Sequence, residues 1–204
     1  MTDNSVEEIE NLVKIISKLP ALGPKSARRI VLKLINNREE LLKNLITLLA
    51  QTYKNLRKCN TCGDYFSANS NCVCFKKNYE QIVVVQTIAD KWTVEDSGVY
   101  KNGFHILGGT LPTLESKKND GLLISSLIDR VKNNSQVKEI ILACGNTAEG
   151  NITSHLIIDS LKEKDIKVKI TKLGRGISVG QEVSDLGDGT LIDAFKNRGP
   201  VIND

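Results

Sequence analysis

The chain has 204 residues, 40% hydrophobic, 25% charged and only 4% aromatic, with a formal net charge of +4. Such a composition supports a globular protein of one large domain or two to three small ones. It contains no apolar run of the roughly 18 residues that a spanning helix needs, and it holds too few aromatics for a sequence-blind base-stacking platform.

Charge is unevenly placed. From Lys14 to Lys58 eleven Lys or Arg stand against only Glu39 and Glu40, a net +9 that leaves about −5 for the remainder. A basic module joined to a mildly acidic one points to a polyanion partner at the N-terminal end; the plainer alternative is a solvated lysine-rich helix face. The opening MTDNSVEEIE has neither the basic region nor the apolar stretch of a secretion signal, so a cytoplasmic protein is expected.

In chain order, Ile9, Leu12, Val13 and Ile16 fall at helical spacing and predict a first helix over 6–18, stopped by Pro20. After the loop LPALG, Pro24 occupies the favoured first position of a second helix whose apolar face is Ala27, Ile30, Val31 and Leu34. A third helix is expected from Glu40 to Arg57, with Leu41, Leu42, Leu45, Leu48, Leu49 and Leu56 on its buried side. From residue 81 the pattern changes. Short apolar runs at 81–85, 104–109, 139–144 and 167–171 alternate with helical stretches near 89–98, 120–133 and 150–164. That alternation predicts an α/β domain with a mostly parallel sheet covered on both faces.

Two local motifs carry chemistry. In LPALGPKSARR, residues 19–29, a glycine-closed turn leads into a helix N-terminus, where backbone N–H groups and the helix dipole can hold a phosphate. Lys25, Arg28 and Arg29 would flank the same nucleic-acid backbone without reading bases. The usual pattern has two glycines around an aliphatic residue. Here the first is Ala21, acceptable if its φ is negative. The alternative is an ordinary helix-turn-helix corner with a surface lysine.

The second motif is Cys59, Cys62, Cys72 and Cys74, spaced C-x2-C-x9-C-x-C. Four clustered cysteines in a cytosolic chain read as a structural zinc site rather than a disulfide framework, although the C-x-C bite asks for an altered backbone. A knuckle that folds without metal is the alternative. His105, in an apolar strand, and Cys144, at a strand end, read as packed core residues, and His155 stands alone.

Taken together, LPALGPKSARRIVLKL (19–34), the cysteine cluster, VVVQTIAD (83–90), FHILGG (104–109), TAEGNIT (147–153) and LGRGISVGQE (173–182) resemble the RecR family of bacterial recombination mediators nearly end to end. The resemblance implies a helix-hairpin-helix DNA-binding domain over 1–57, a C4-type zinc finger over 58–76 with one structural Zn2+ per chain, a Toprim domain over 81–177, and a C-terminal tail over 178–204 making oligomer contacts. It implies a DNA repair protein without catalytic residues. As a homodimer or homotetramer ring it would clamp DNA and act with RecO, and often RecF, to load the RecA recombinase onto single-stranded gaps. Lys25, Arg28 and Arg29 would face DNA, and Glu149 would contact a partner protein.

Some positions depart from the family pattern. Gln86 replaces the glutamate after the first Toprim strand, Asn71 stands where the third cysteine is expected, G-N-T-A-E-G-N replaces N-P-T-x-E-G-E, and Ser178 replaces a proline. Toprim enzymes hold magnesium with clustered carboxylates after two strands. Gln86 and the run Cys144, Gly145, Asn146 supply none there. The competing function, a magnesium-dependent nuclease or primase-like enzyme, would have to use Glu149, Asp185 or Asp188.

Overall fold

The structure is a computed structural model describing residues 6–76, 78–101, 103–111 and 121–200. Residue 120 of the helix expected over 120–133 and the last four residues of the tail lie outside that set. The chain divides into two compact units, residues 1–56 and 57–204. No helix among the described residues is long and apolar enough to cross a membrane.

The first unit is helical, with α1 (Glu7–Ile16), α2 (Pro24–Asn36) and α3 (Lys43–Asn55). Glu7, Glu8 and Glu10 favour the positive N-terminus of α1. Ala27, Val31 and Leu34 are the buried residues of α2, in keeping with the expected apolar face. The third helix departs from expectation. It opens with a π-helical turn, Arg38–Leu42, where Asn37 leaves helical geometry at φ −119° and its carbonyl accepts from both Leu41 and Leu42. The leucine side expected to be buried is also exposed within this chain: α3 buries no residue, and Leu48 and Leu49 are 60% and 59% exposed. Periodicity reports which face avoids water, not what covers it.

A small ribbon of β1 (Leu56–Lys58), which starts at the last residue of the first unit, and β2 (Tyr65–Ser67) follows, then a 3-10 turn at Val73–Lys76. A four-stranded sheet follows, ordered β4-β3-β5-β6, from β3 (Gln81–Val85), β4 (Gly103–Ile106), β5 (Glu139–Leu142) and β6 (Lys169–Lys172). All three strand pairings are parallel, with Ile82 opposite Gly103 and Ile140, and Ile140 opposite Ile170. Parallel strands need crossovers, supplied here by α4 (Ile88–Asp96), α5 (Ile124–Lys132) and α6 (Ala148–Glu163).

Period-two alternation splits the apolar residues between two faces. Ile82, Val84, Ile140 and Leu142 pack with Leu127, Ile128, Val131, Ile157 and Leu161 of α5 and α6. Val83, Val85, Phe104 and Ile106 pack with Ile88 and Val94 of α4. At one end of the sheet the Glu139 carboxylate accepts from Gln81 and Thr171 and pairs with Lys169 at 3.2 Å, tying three adjacent strands together. A last helix, α7 (Asp188–Lys196), follows β6.

His105 is fully buried, with its Nε2 2.8 Å from the Leu123 carbonyl oxygen. Burial pulls its pKa down to about 3, so the ring is neutral and packs as a core residue, as the sequence predicts. Cys144 is likewise buried, and burial pushes its thiol pKa up.

Candidate nucleic-acid interface and metal centre

The hairpin is made by residues that stop one helix and start another. Leu19 N–H donates to Ile16 O at 3.1 Å, and Leu22 N–H to Leu19 O at 3.2 Å. Gly23 then caps α2 in an extended conformation, and Pro24, with no N–H to leave unsatisfied, begins it. The condition that would make alanine at position 21 easy, a negative φ, is not met: its φ is +60°. The reversal takes a left-handed residue at this point, and alanine occupies it at a cost of about 1–2 kcal/mol.

The helix that follows has no acid in its first turn, and Lys25, Arg28 and Arg29 are all exposed. Lys25 and Arg29, four residues apart, share a face beside the open N–H groups of the helix start. Arg28 borders a groove of about 500 Å³ with Val13 of α1 and Leu32 of α2.

The second unit brings all four cluster cysteines together. Cys59, Cys62, Cys72 and Cys74 are buried, and their sulfurs lie within 4.8 Å of one another. Cys59 Sγ is 3.6 Å from Cys74 Sγ, and Cys62 Sγ is 3.4 Å from Cys72 Sγ. A tetrahedral ion with sulfur ligands at about 2.3 Å sets them about 3.8 Å apart, so the donor set fits one such ion. The irregular second pair closes because Val73–Lys76 is a 3-10 turn that aims Cys72 and Cys74 inward together.

Protonation agrees with a site built around a cation. The neighbouring Cys74 sulfur and burial push the Cys62 thiol far up, and burial with Cys62 beside it lifts Cys72 to about 12. Burial also raises Cys59, but the backbone N–H groups of Cys62 and Thr61 outweigh it and bring that thiol to about 7. Several thiolates at this spacing need a positive ion among them.

The residues that fasten this module to the sheet were not singled out by the sequence. Ile106 N–H donates to Cys62 O at 2.7 Å, and Ser126 Oγ donates to the carbonyls of Asn60 and Thr61. Lys91 bridges Asp64 at 2.8 Å and Glu95 at 3.2 Å. Gly63 has φ +78°, and a Cβ there would lie 2.2 Å from Ile106 O, so only glycine lets the knuckle approach this closely. Arg130 is buried, stacks on Tyr79 at 4.7 Å, and donates through Nε to Tyr79 Oη and through Nη1 to Phe104 O. Tyr79 Oη in turn donates to Cys74 O at 3.3 Å. The glycine in C-x2-C-G was the one available sequence signal.

At the carboxyl ends of β3 and β5, Gln86 lies against the backbone of Gly145 and Gly150, its buried Nε2 without an acceptor. A Cβ on Gly150 would fall 2.0 Å from Gly145 O, so the turn into α6 also needs a glycine. Thr147 caps α6, and Glu149 is a half-buried residue of its first turn. Among the described residues, the cysteine cluster is the one place where three or more His, Cys, Asp or Glu donor atoms converge.

This architecture has known counterparts. Residues 9–52 match the family described as RecR, helix-hairpin-helix, and residues 80–172 match the Toprim domain. The recombination protein RecR of Pelagibacter ubique is 52% identical over 197 residues, covering 95% of each chain. RecR of Mesorhizobium japonicum is 41% identical over 193 residues, 94% of each chain, and that of Maricaulis maris is 37% identical over 202 residues, 98% of this chain and 99% of its own. With its helical N-terminal hairpin, buried four-cysteine cluster and parallel Toprim sheet, the chain belongs to the RecR family of recombination proteins.

Proposed function

We propose that this protein is a non-catalytic DNA clamp of recombinational repair, located in the cytoplasm, that works with RecO and RecF to load RecA onto single-stranded gaps. The observation that carries this reading is the acid-free start of α2, where exposed Lys25 in the first turn and exposed Arg28 and Arg29 one turn on follow a tight hairpin in a RecR-family chain. Such a helix start offers orphan N–H groups and mobile cations to successive phosphates, so binding is independent of sequence and sensitive to salt. In this reading residues 1–57 bind DNA, 58–76 form the zinc finger, 81–177 the Toprim domain, and 178–204 a tail for contacts between copies.

Encircling a duplex about 20 Å across takes more than one chain of this size. The first unit presents an apolar surface for a second copy: Ile46, Leu48 and Leu49 of α3 are 58%, 60% and 59% exposed, and Tyr53 is 91% exposed. So few buried side chains in a unit this small leave it dependent on association. A homodimer or homotetramer is the expected form.

The cysteine set would hold one Zn2+ as a structural ion. Four thiolates leave no coordination position open for water, so the metal would organise the module rather than activate a nucleophile. Glu149 has no neighbouring carboxylate ligand set and serves here as a contact for a partner protein.

The test is the salt dependence of DNA binding by the full-length protein. Each duplex phosphate that a variant no longer neutralises should reduce the slope of log affinity against log salt by about 0.9. Lys25→Ala, Arg28→Ala and Arg29→Ala should each flatten it, and wild-type slopes in all three would overturn the reading. Magnesium-dependent cleavage or synthesis on gapped DNA, abolished by Glu149→Gln, would replace the clamp with an enzyme.

A further inference from the structure

The sheet has its own switch point. β3 is followed in the chain by β4 on one side and then by β5 on the other, so the crevice between the carboxyl ends of β3 and β5 is where parallel α/β sheets receive ligands. In Toprim enzymes carboxylates there hold magnesium, which meets the phosphate. This chain presents amides there, Gln86 after β3 and Asn146 after β5, while two cations, Lys172 at the end of β6 and Arg175 after it, stand one strand over on the far side of β5.

Lys172 Nζ donates to Asn151 Oδ1 at 2.6 Å, and Arg175 Nη2 donates to the same oxygen at 3.1 Å. Two positive groups therefore share one neutral acceptor. Arg175 also pairs with Asp193 of α7 at 3.2 Å, whereas Lys172 forms no ion pair among the described residues. Beside them opens a cavity of about 530 Å³, lined by Asn146, Gly174, Arg175, Gly176, Thr190 and Asp193. A Cβ built on Gly174 or Gly176 would meet nothing within 4 Å, so a ligand can come up to the backbone itself. The lining holds no apolar or aromatic side chain. It therefore has nothing to stack a base or anchor a protein partner. What it offers is the Arg175 guanidinium, offset by the Asp193 carboxylate in the same lining, with small polar donors; Lys172, outside the lining but on the same Asn151 oxygen, brings the group to the net positive charge that suits an anion of phosphate size.

We infer that the carboxyl end of the Toprim sheet in this chain is a second phosphate-binding locus, in which Lys172 and Arg175 take the backbone phosphate of a nucleic acid directly, without a divalent ion. The inference rests on the DNA-binding reading and adds to the hairpin a contact on the other unit. Burial and the Arg175 charge lower the pKa of Lys172, against the opposing charge of Asp193. Phosphate at that position would supply the charge that Asn151 lacks.

The experiment is anisotropy titration of a fluorescent single-stranded oligonucleotide with full-length protein across a salt series. Wild type is compared with Lys172→Gln, Lys172→Arg, Asn151→Asp and Arg28→Ala. Lys172→Gln should lower the salt slope by about 0.7 for each copy engaged, and Lys172→Arg should restore it. Asn151→Asp, which puts a carboxylate between the two cations, should lower it as well without removing either. Wild-type slopes in both Lys172→Gln and Asn151→Asp, with Arg28→Ala flattened, would overturn this locus and leave the hairpin reading standing, an acidic protein segment then being the better occupant. Wild-type slopes in all of these variants would overturn both.

Discussion

Replacing Ala21 by glycine should stabilise this protein, against the usual direction of such a change. The residue is exposed and sits at φ +60°. A side chain in the left-handed region costs about 1–2 kcal/mol through its Cβ. Glycine removes that strain but gives the unfolded chain more freedom, at about 0.5–1 kcal/mol. The balance favours glycine by about 0.5–1 kcal/mol, or a rise of roughly 2–8 °C if the helical unit melts as a small domain. Urea unfolding of the full-length protein at fixed concentration, followed by circular dichroism, measures it. Ala21→Val, which adds a β-branch at the same dihedrals, should move stability the other way. Ala21→Gly at or below wild-type stability would refute a left-handed residue 21 and the turn drawn from it.

Gly63→Ala should cost several times more, because strain at φ +78° adds to a Cβ 2.2 Å from Ile106 O; a stability decrease below about 1 kcal/mol in urea unfolding would contradict so close an approach. Cys72→Ser should lower bound zinc, measured by elemental analysis of purified protein, as much as Cys59→Ser does; full zinc in Cys72→Ser would mean three ligands suffice. Arg130→Met should cost about 1.5–3 kcal/mol, since Tyr79 Oη and Phe104 O are deprived of a charged donor, and an unfolding midpoint within error of wild type would contradict the brace.

His105 makes stability depend on pH. Its folded pKa of about 3 lies below the ordinary unfolded value near 6.5, so between these the unfolded chain binds a proton that the folded chain refuses. Its contribution is complete above about pH 6.5 and is lost toward pH 3, at up to about 1.4 kcal/mol per pH unit. The difference in unfolding free energy between wild type and His105→Gln should change with that slope from pH 6 to 4, whereas parallel curves would place the ring in contact with water.

Much of the fold was legible in the sequence because its signals are local. The run QIVVV became β3 without adjustment, and Pro24 after Gly23 marked the start of α2 to the residue. The cysteines identified their own cluster. Their closure was harder to foresee, because C-x-C is unfavourable until a 3-10 turn rotates both sulfurs inward. The φ of Ala21 was not legible because the turn, not the side chain, sets that dihedral. Arg130 carries no motif. It matters through Tyr79, fifty-one positions earlier, a relation that only the folded chain creates. The leucines of α3 kept their helical period but not their burial, since a chain's own pattern does not say which molecule covers it.

The attachment of the cysteine module has a consequence for solubility. β4 is an outer strand, and its groups facing away from β3 would ordinarily invite another chain to pair with them. Two of these are occupied: the Ile106 N–H by the Cys62 carbonyl, and the Phe104 carbonyl by Arg130. The module, together with Arg130 of α5, thus acts as a shutter over an open strand. Oxidising its thiols would loosen the Cys62 part of that cover in a protein whose sheet is otherwise intact, and favour strand-to-strand association.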